Sequence, residues 1–147
     1  MKNTITVSEL KNIINIAKEL DVCKYDLLEN IKDSNENFEV DNYTFMTESE
    51  ALEYVVDMYS CDNYLLGCFN ADFVEDFITL DYNSIKTLQE GEQFEIVGEL
   101  IMNSGNLNDM IADYINLDGY GHALNSYDGN HQELTINNIE YIVYRNN

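Results

Sequence analysis

The stretch that decides the fold is residues 38–50, which read FEVDNYTFMTESE. Apolar and polar side chains alternate roughly on both sides of Asp41-Asn42, and this pattern predicts two antiparallel strands joined by a tight turn. Residues 47–50 then have the spacing of a capping box, in which a threonine hydroxyl caps a backbone N–H and a glutamate three residues later reaches back. The stretch therefore predicts a change from sheet to helix at Thr47.

The rest of the chain predicts helices on both sides of this hairpin. Apolar side chains at three- and four-residue spacing predict helices within residues 8–31 and 51–115. Asn70 is placed to cap a helix that bears Phe73, Val74 and Phe77, and Asp81 is placed to cap the next one. Two further helices are expected to end near Ser104-Gly105 and near Asp118-Gly119, since glycine favours the left-handed backbone that ends helices.

From Tyr120 onward, short apolar runs separated by Asn and Gly predict strands, the last at residues 141–144. We expect these strands to pair with the early hairpin. The predicted fold is α+β, with a single small antiparallel sheet, several helices inserted between its two halves, and a short helical lobe at the N-terminus.

Charge divides the chain into two blocks. Residues 1–32 carry five acids and five lysines, whereas residues 33–147 carry twenty-three acids against Lys86 and Arg145. The net charge of −21 thus belongs to one block, which indicates a neutral helical lobe at 1–32 and an acidic α+β domain at 33–147 within one compact unit. Because self-repulsion destabilises a compact state, this excess suggests a basic target. Adaptation to salt, or simple solubility, is the alternative.

Composition limits the class of protein. A hydrophobic content of 45% is too high for an acidic disordered tail. No run approaches the roughly 18 apolar residues that span a bilayer, and the N-terminus does not resemble a signal peptide, so we expect a soluble, cytoplasmic protein. Three cysteines without CxxC spacing favour reduced thiols over a disulfide framework or a zinc site.

Acids recur at helical spacing along the acidic block. Glu50, Glu53 and Asp57 stand at i, i+3 and i+7, and residues 92, 95 and 99 repeat that spacing. Like charges so placed cost about 0.2–0.5 kcal/mol per pair, and almost no lysine is interleaved to offset them. A merely solvated helix face is the alternative. The predicted partner-binding acids are Glu48, Glu50, Glu53, Asp57, Asp72, Glu75, Asp76, Glu92, Glu95, Glu99, Asp109 and Asp113.

This spacing is similar to that of phosphates in nucleic acid. Carboxylates four positions apart on a helix are separated by about 6 Å along its axis. Neighbouring phosphates are separated by a rise of about 3.4 Å plus the helical path. The first hypothesis is therefore a DNA mimic that occupies the basic groove of a nucleic-acid enzyme, with no catalysis, metal or cofactor of its own and no direct binding of nucleic acid. Its inhibition is expected to be stoichiometric and salt-sensitive.

Two segments add a resemblance. Residues 64–73 (YLLGCFNADF) and 119–130 (GYGHALNSYDGN), with YIVYR at 141–145, are similar to stretches of mobile-element proteins of unassigned function. In its size, its acidity and a residue usage typical of an AT-rich genome, the chain resembles the small phage and conjugative-element inhibitors known as anti-CRISPR and antirestriction proteins of the DNA-mimic type. The resemblance implies a host defence nuclease as target, either a Cas9-type effector or a restriction enzyme. It transfers no site residues and does not extend to the longer antirestriction pattern.

Two other classes of function stay open. His122, Asp128, His131 and Glu133 gather both histidines with acids, as a metal site or an acid/base pair requires, but no HExxH or nucleophile motif accompanies them. Polar residues at turns and strand ends are the alternative identity of this group. The second class is a noncatalytic protein that uses the same acids to bind a basic partner without displacing DNA. The sequence leaves the oligomeric state open.

Overall fold

In a computed structural model, which describes residues 4–33 and 36–147, eight helices and four strands form within the described residues. The strands are β1 (Asn37–Val40), β2 (Tyr43–Thr47), β3 (Gln132–Ile136) and β4 (Ile139–Arg145). The helices are α1 (Val7–Leu20), α2 (Lys24–Lys32), α3 (Glu48–Ser60), α4 (Asn63–Leu66), α5 (Ala71–Val74), α6 (Tyr82–Glu90), α7 (Phe94–Ser104) and α8 (Leu107–Leu124). None of the described helices has both the length and the apolar character needed to cross a bilayer.

The four strands form one antiparallel sheet in the order β1-β2-β4-β3. The hairpin predicted around Asp41-Asn42 is present, and β3 and β4 form a second one. Asp41 takes a left-handed conformation in the first turn, and Asn137 and Asn138 both do so in the second, as two-residue turns that match the strand twist require. β2 and β4 join the two hairpins, with Phe45 opposite Val143. The α+β fold, with helices inserted between the two halves of the sheet, is thereby confirmed.

The chain divides into two compact units. We call residues 1–51 and 118–147 the sheet unit, and Leu52–Leu117 the helical unit. The division falls inside α3 and just before Gly119 of α8, so its limits differ from a boundary at residue 32. The polar run DSNEN at 33–37 predicts a loop, and its residues 34 and 35 lie outside the described part of the chain.

An aromatic cluster forms the core of the sheet unit. The Phe38 and Phe45 rings stack with their centroids 4.9 Å apart, and Tyr141 meets both rings edge-on. Ile13 of α1 and Leu27 of α2 are fully buried in the same cluster. The first two helices therefore share a core with the sheet.

In the helical unit, two glycines allow α4 and α7 to pack backbone to backbone. A Cβ atom on Gly67 would lie 1.8 Å from the carbonyl oxygen of Phe94, and one on Gly98 would lie 2.0 Å from that of Asn63. Such distances exclude any side chain at these positions unless the backbone moves. A row of aromatic rings from Tyr114 through Phe69 and Phe73 to Phe77, with neighbouring centroids 5.0–5.7 Å apart, packs in the same unit.

The helix predicted after Asn70 is much shorter than its apolar spacing indicates. α5 ends at Val74, Phe77 lies in the turns that follow, and Asn70 makes no capping hydrogen bond through its side chain. The prediction was wrong because the Phe73 and Phe77 rings contact each other directly in the aromatic row, with centroids 5.4 Å apart, and this contact does not need a continuous helix. By contrast, Asp81 caps α6 as predicted, since its carboxylate accepts a hydrogen bond from the Ser84 N–H at 2.8 Å.

The prediction of strands from Tyr120 onward was wrong for residues 120–124, which are helical. Gly119 leaves the helical conformation (φ 87, ψ 160), and the chain then resumes α8 in a new direction as far as Leu124. Gly121 is required there because a Cβ atom would lie 2.6 Å from the Gly129 carbonyl oxygen and 2.8 Å from the His131 nitrogen. The kink at Gly119 interrupts the helical spacing of apolar residues along α8, so the sequence on its two sides resembles two separate short elements.

Candidate acidic interface

Ten of the twelve predicted acids lie in the helical unit, and only Glu48 and Glu50 belong to the sheet unit. The helical unit carries thirteen acids against one cation, Lys86, a net charge of −12. The sheet unit carries fifteen acids against five lysines and Arg145, a net charge of −9 over a longer stretch of chain. The concentration of unbalanced charge is therefore a property of the helical unit.

Eleven of the predicted acids are exposed and Glu50 is half-buried. Within residues 4–33 and 36–147, the lysine and arginine side chains donate hydrogen bonds to the Tyr82 hydroxyl and the Asn147 carbonyl rather than to any of these twelve carboxylates. One of them, Asp72, has a cationic neighbour, because its charge contributes to holding Lys86 protonated. Most of these carboxylates are thus available to a partner that approaches from solvent.

Three pairs of these acids keep the helical spacing that their sequence predicts. Glu53 and Asp57 stand four residues apart on α3, Glu95 and Glu99 on α7, and Asp109 and Asp113 on α8. Each pair lies on the solvent face of its helix, since other residues of the same helix are buried. On α7 the buried residues are Val97, Gly98 and Ile101, and on α8 they include Met110, Ile111 and Tyr114.

Two of the predicted stripes are not helical along their whole length. Glu92 lies in the turn between α6 and α7 with a left-handed backbone (φ 58), so it does not continue the face of Glu95 and Glu99. The expectation failed because α6 ends at Glu90 and α7 begins only at Phe94, so Glu92 belongs to neither helix. Similarly, Asp72 lies in the four-residue α5, whereas Glu75 caps its end and Asp76 follows in a turn.

Two of the acids also have structural contacts. The Glu75 carboxylate accepts a hydrogen bond from the Tyr82 N–H at 3.0 Å, which fixes the start of α6 to the end of α5. The Glu50 N–H donates to the Thr47 hydroxyl at 3.4 Å, which is one half of the predicted capping box. Glu75 therefore contributes to the fold as well as to the surface charge.

Lys86 was not among the predicted site residues, yet it is the one cation in the helical unit. Its ammonium group donates a hydrogen bond to the Tyr82 hydroxyl at 3.2 Å. This bond, with the nearby charges of Glu90 and Asp72, raises the pKa of Lys86 above its usual value. The lysine therefore stays charged at neutral pH and reduces the negative potential beside Asp72. Its spacing of four residues from Tyr82 and from Glu90 was the available signal in the sequence.

Sequence reasoning also missed a surface cleft of about 450 Å³ in the helical unit. Residues 76–80 form one side, and residues of α7 with Asn106 form the other. The side-chain N–H of Asn106 donates to the Phe77 carbonyl at 2.7 Å and joins the two sides. The apolar residues Phe77, Ile78 and Leu80 after a short helix were the sequence signal for it.

The histidines lie in structural contacts of the sheet unit. His131 Nδ1 accepts a hydrogen bond from the Gly121 N–H at 3.0 Å, so this nitrogen is occupied in the neutral ring. Asp128 accepts bonds from the Asn125 side chain and the Asn130 N–H. His122 and Glu133 are exposed, on α8 and on β3. Within residues 4–33 and 36–147, no three His, Cys, Asp or Glu side chains are grouped so that they could hold a metal ion.

Comparison of the chain with protein-family models, with curated proteins and with solved structures gives no match. Function is therefore inferred from the charge, exposure and geometry of the acidic residues.

Proposed function

We propose that this chain is a DNA-mimicking inhibitor of a host defence nuclease, either a Cas9-type effector or a restriction enzyme. It occupies the basic nucleic-acid-binding groove of that enzyme in the cytoplasm of the host bacterium. The proposal needs no catalytic residue and no cofactor. The observation that carries it is the helical unit, whose thirteen acids are balanced by Lys86 alone.

Electrostatics supports this proposal. A groove that binds DNA gains much of its affinity by neutralising phosphates with lysine and arginine, so an exposed array of carboxylates can compete for the same cations. The pairs on α3, α7 and α8 each place two carboxylates about 6 Å apart along a helix. Opposite fields also steer the two proteins together, which makes association fast and sensitive to salt.

Apolar side chains beside the acids supply the contacts that charge alone does not. Tyr54 follows Glu53 and is 51% exposed, Ile96 follows Glu95 and is 41% exposed, and Tyr64 is 53% exposed. Charge complementarity contributes more to association rate and specificity than to affinity, which depends on a few well-packed aromatic or arginine contacts. These three residues are the proposed apolar contacts with the target.

The test is a titration of the purified protein into a panel of Cas9-type effectors and restriction enzymes. DNA binding and DNA cleavage are measured separately at two salt concentrations. The proposal predicts that one enzyme loses DNA binding when the protein is added, and that the protein binds this enzyme more weakly at the higher salt concentration. Intact DNA binding with every enzyme of the panel would contradict it.

A second candidate is a noncatalytic acidic protein that binds a basic partner surface without displacing DNA. The observation that favours it is the break in two of the predicted stripes, at Glu92 and at residues 72–76. An interrupted array does not keep the spacing of phosphates along its whole length, but binding to a basic surface needs only complementary charge. In the same titration, this candidate predicts a complex that forms while DNA remains bound.

A further inference from the structure

The cleft between residues 76–80 and α7 combines apolar walls with a polar rim. Phe77, Ile78, Leu80 and Leu100 line it and are half-buried. The rim is formed by exposed or half-buried polar residues, namely Asp76, Thr79, Asn103, Ser104 and Asn106. Its volume of about 450 Å³ lies within the range of about 300–1,000 Å³ that is usual for ligand sites.

Internal hydrogen bonds hold the walls of this cleft in place. Besides the bond from Asn106 to the Phe77 carbonyl, the Ser104 hydroxyl donates to the Ile101 carbonyl at 2.6 Å and accepts from the Asn106 N–H at 3.1 Å. The Phe77 ring packs on Phe73 with their centroids 5.4 Å apart. A site that is already ordered loses less conformational entropy when a ligand enters.

Charge decides what kind of group fits. Asp76 is the one charged residue that lines the cleft, and the unit around it has a net charge of −12. On α7, Glu99 precedes the rim residue Asn103 by one turn. An anion is therefore disfavoured, and a wholly apolar ligand would leave the rim groups without new partners. A cation with an apolar stem satisfies both the walls and the rim.

We propose that this cleft receives an arginine side chain from the basic partner protein. The inference rests on the proposed function, since it names the contact by which the acidic interface recognises its partner. The arginine stem packs against Leu100 and Leu80, and the guanidinium lies against Phe77 and donates hydrogen bonds to Asp76 and to the Asn103 side-chain oxygen. Arginine fits better than lysine because its planar, weakly hydrated guanidinium stacks on aromatic rings and presents several donors at once.

The direct test uses three blocked pentapeptides, Gly-Gly-X-Gly-Gly with X as arginine, lysine or glutamine, titrated into the ¹⁵N-labelled full chain at low salt. The arginine peptide is expected to shift the amide signals of residues 76–80 and 103–106 more than those of the other acidic helices. Its affinity should exceed that of the lysine peptide by about two- to fivefold. Equal affinities, or shifts spread evenly over the acidic helices, would overturn the inference.

Two variants make the test specific. Asn103→Trp fills the cleft at an exposed position, and Asn108→Trp places the same side chain at an exposed position of α8 as the control. Asp76→Asn removes the charge of the side chain without changing its volume, so this variant still tests the cleft if the tryptophan disturbs the fold. Asn103→Trp and Asp76→Asn should each weaken the arginine peptide at least threefold, and Asn108→Trp should not. Wild-type affinity in both cleft variants would overturn the inference.

The peptide titration and the nuclease titration can fail independently. If the arginine peptide binds in the cleft but no enzyme of the panel is inhibited, the cleft is supported and the proposed function fails. If an enzyme is inhibited equally by the wild type, Asn103→Trp and Asp76→Asn, the proposed function stands and the cleft inference is overturned.

Discussion

The sheet unit and the helical unit differ in how they combine stability with charge. The sheet unit has an aromatic core and six cations among its acids, and some of its acids hold the fold together. Asp41 accepts a hydrogen bond from the Cys23 N–H, and Glu9 accepts one from the Asn137 N–H. The helical unit holds α4 against α7 through glycines and has one cation.

The comparison shows that charge and fold are separable in the helical unit. Of its thirteen acids, Asp62, Asp81 and Glu75 accept backbone hydrogen bonds. The other ten accept none from the described residues, so the packing of the unit does not depend on them. Acids that a fold does not need, and that no cation balances, are available for a partner.

The sheet unit should be the more sensitive to loss of an aromatic side chain. Phe45 is fully buried between Phe38 and Tyr141, and Phe45→Ala is expected to lower the free energy of unfolding by about 3–5 kcal/mol. Urea unfolding followed by circular dichroism measures this. Tyr25→Ala in the same unit is the control, because Tyr25 is 71% exposed. Equal effects of the two substitutions would show that the aromatic cluster is not the core.

The helical unit should be sensitive to one added methyl group at the α4–α7 contact. Gly98→Ala places Cβ against the backbone of Asn63, so the helices must separate, at a cost of about 1–3 kcal/mol of unfolding free energy. Gly91→Ala is the matched control in the same unit, since its nearest neighbour would lie 3.5 Å away. If both variants unfold at the same urea concentration, the contact is looser than described.

The caps of the two units should respond differently to acid. Hydrogen bonds from Ser84 lower the pKa of Asp81, so the ionised cap is favoured in the folded state. Its stabilisation is present above the unfolded-state pKa and is lost as the pH falls through the lower folded-state pKa. The α1 cap, Thr6, does not titrate. Amide exchange at Ser84 should therefore increase, relative to Glu9, as the pH falls below the unfolded-state pKa of an aspartate, about 3.9, and unchanged exchange ratios would contradict this.

The smallest effect concerns single lysines. Electrostatic steering raises association rates by about 10- to 1,000-fold. If about a dozen charges share this effect, each contributes a factor of about 1.2 to 1.8. Lys86→Gln should increase the association rate with the basic target by this factor, measured by stopped flow at low salt. Lys24→Gln in the sheet unit is the control, since Lys24 lies 5.3 Å from the centre of the Tyr25 ring, much as Lys86 lies 5.5 Å from that of Tyr82. Equal association rates for the two variants would mean that the charges of both units contribute to the steering field.

Local signals in the sequence were sufficient for much of the fold. The hairpin at residues 37–47, the Asp81 cap and the end of α7 at Gly105 each depend on a few adjacent residues, and each forms as predicted. The length of α5 and the helical turn at 120–124 were not predictable in this way. They depend on contacts with residues outside each segment, such as that of Phe69 with Tyr114 and that of Gly121 with Gly129.

The candidate interface was predictable only in part for the same reason. Periodicity indicates which acids lie on the solvent face of a helix, and the pairs on α3, α7 and α8 follow it. It does not reveal that ten of the acids fall in one unit with Lys86 alone, because that depends on which segments pack together. Likewise, the position of Glu92 depends on where α6 ends and α7 begins, which the spacing of the acids does not show.

The most direct test of the proposed interface compares two triple charge reversals. One variant carries Glu53→Lys, Asp57→Lys and Glu99→Lys in the helical unit. The other carries Glu19→Lys, Glu29→Lys and Glu140→Lys, at exposed positions of the sheet unit, and both have the same net charge. The measurement is displacement of DNA from the nuclease that the panel identifies, with circular dichroism to verify that both variants fold.

We expect the helical-unit variant to lose inhibition, with an association rate about 3- to 30-fold lower, since the three reversals remove six units of negative charge from the steering field. The sheet-unit variant should inhibit as the wild type does. Equal inhibition by the two variants would contradict the claim that the acids of the helical unit form the interface.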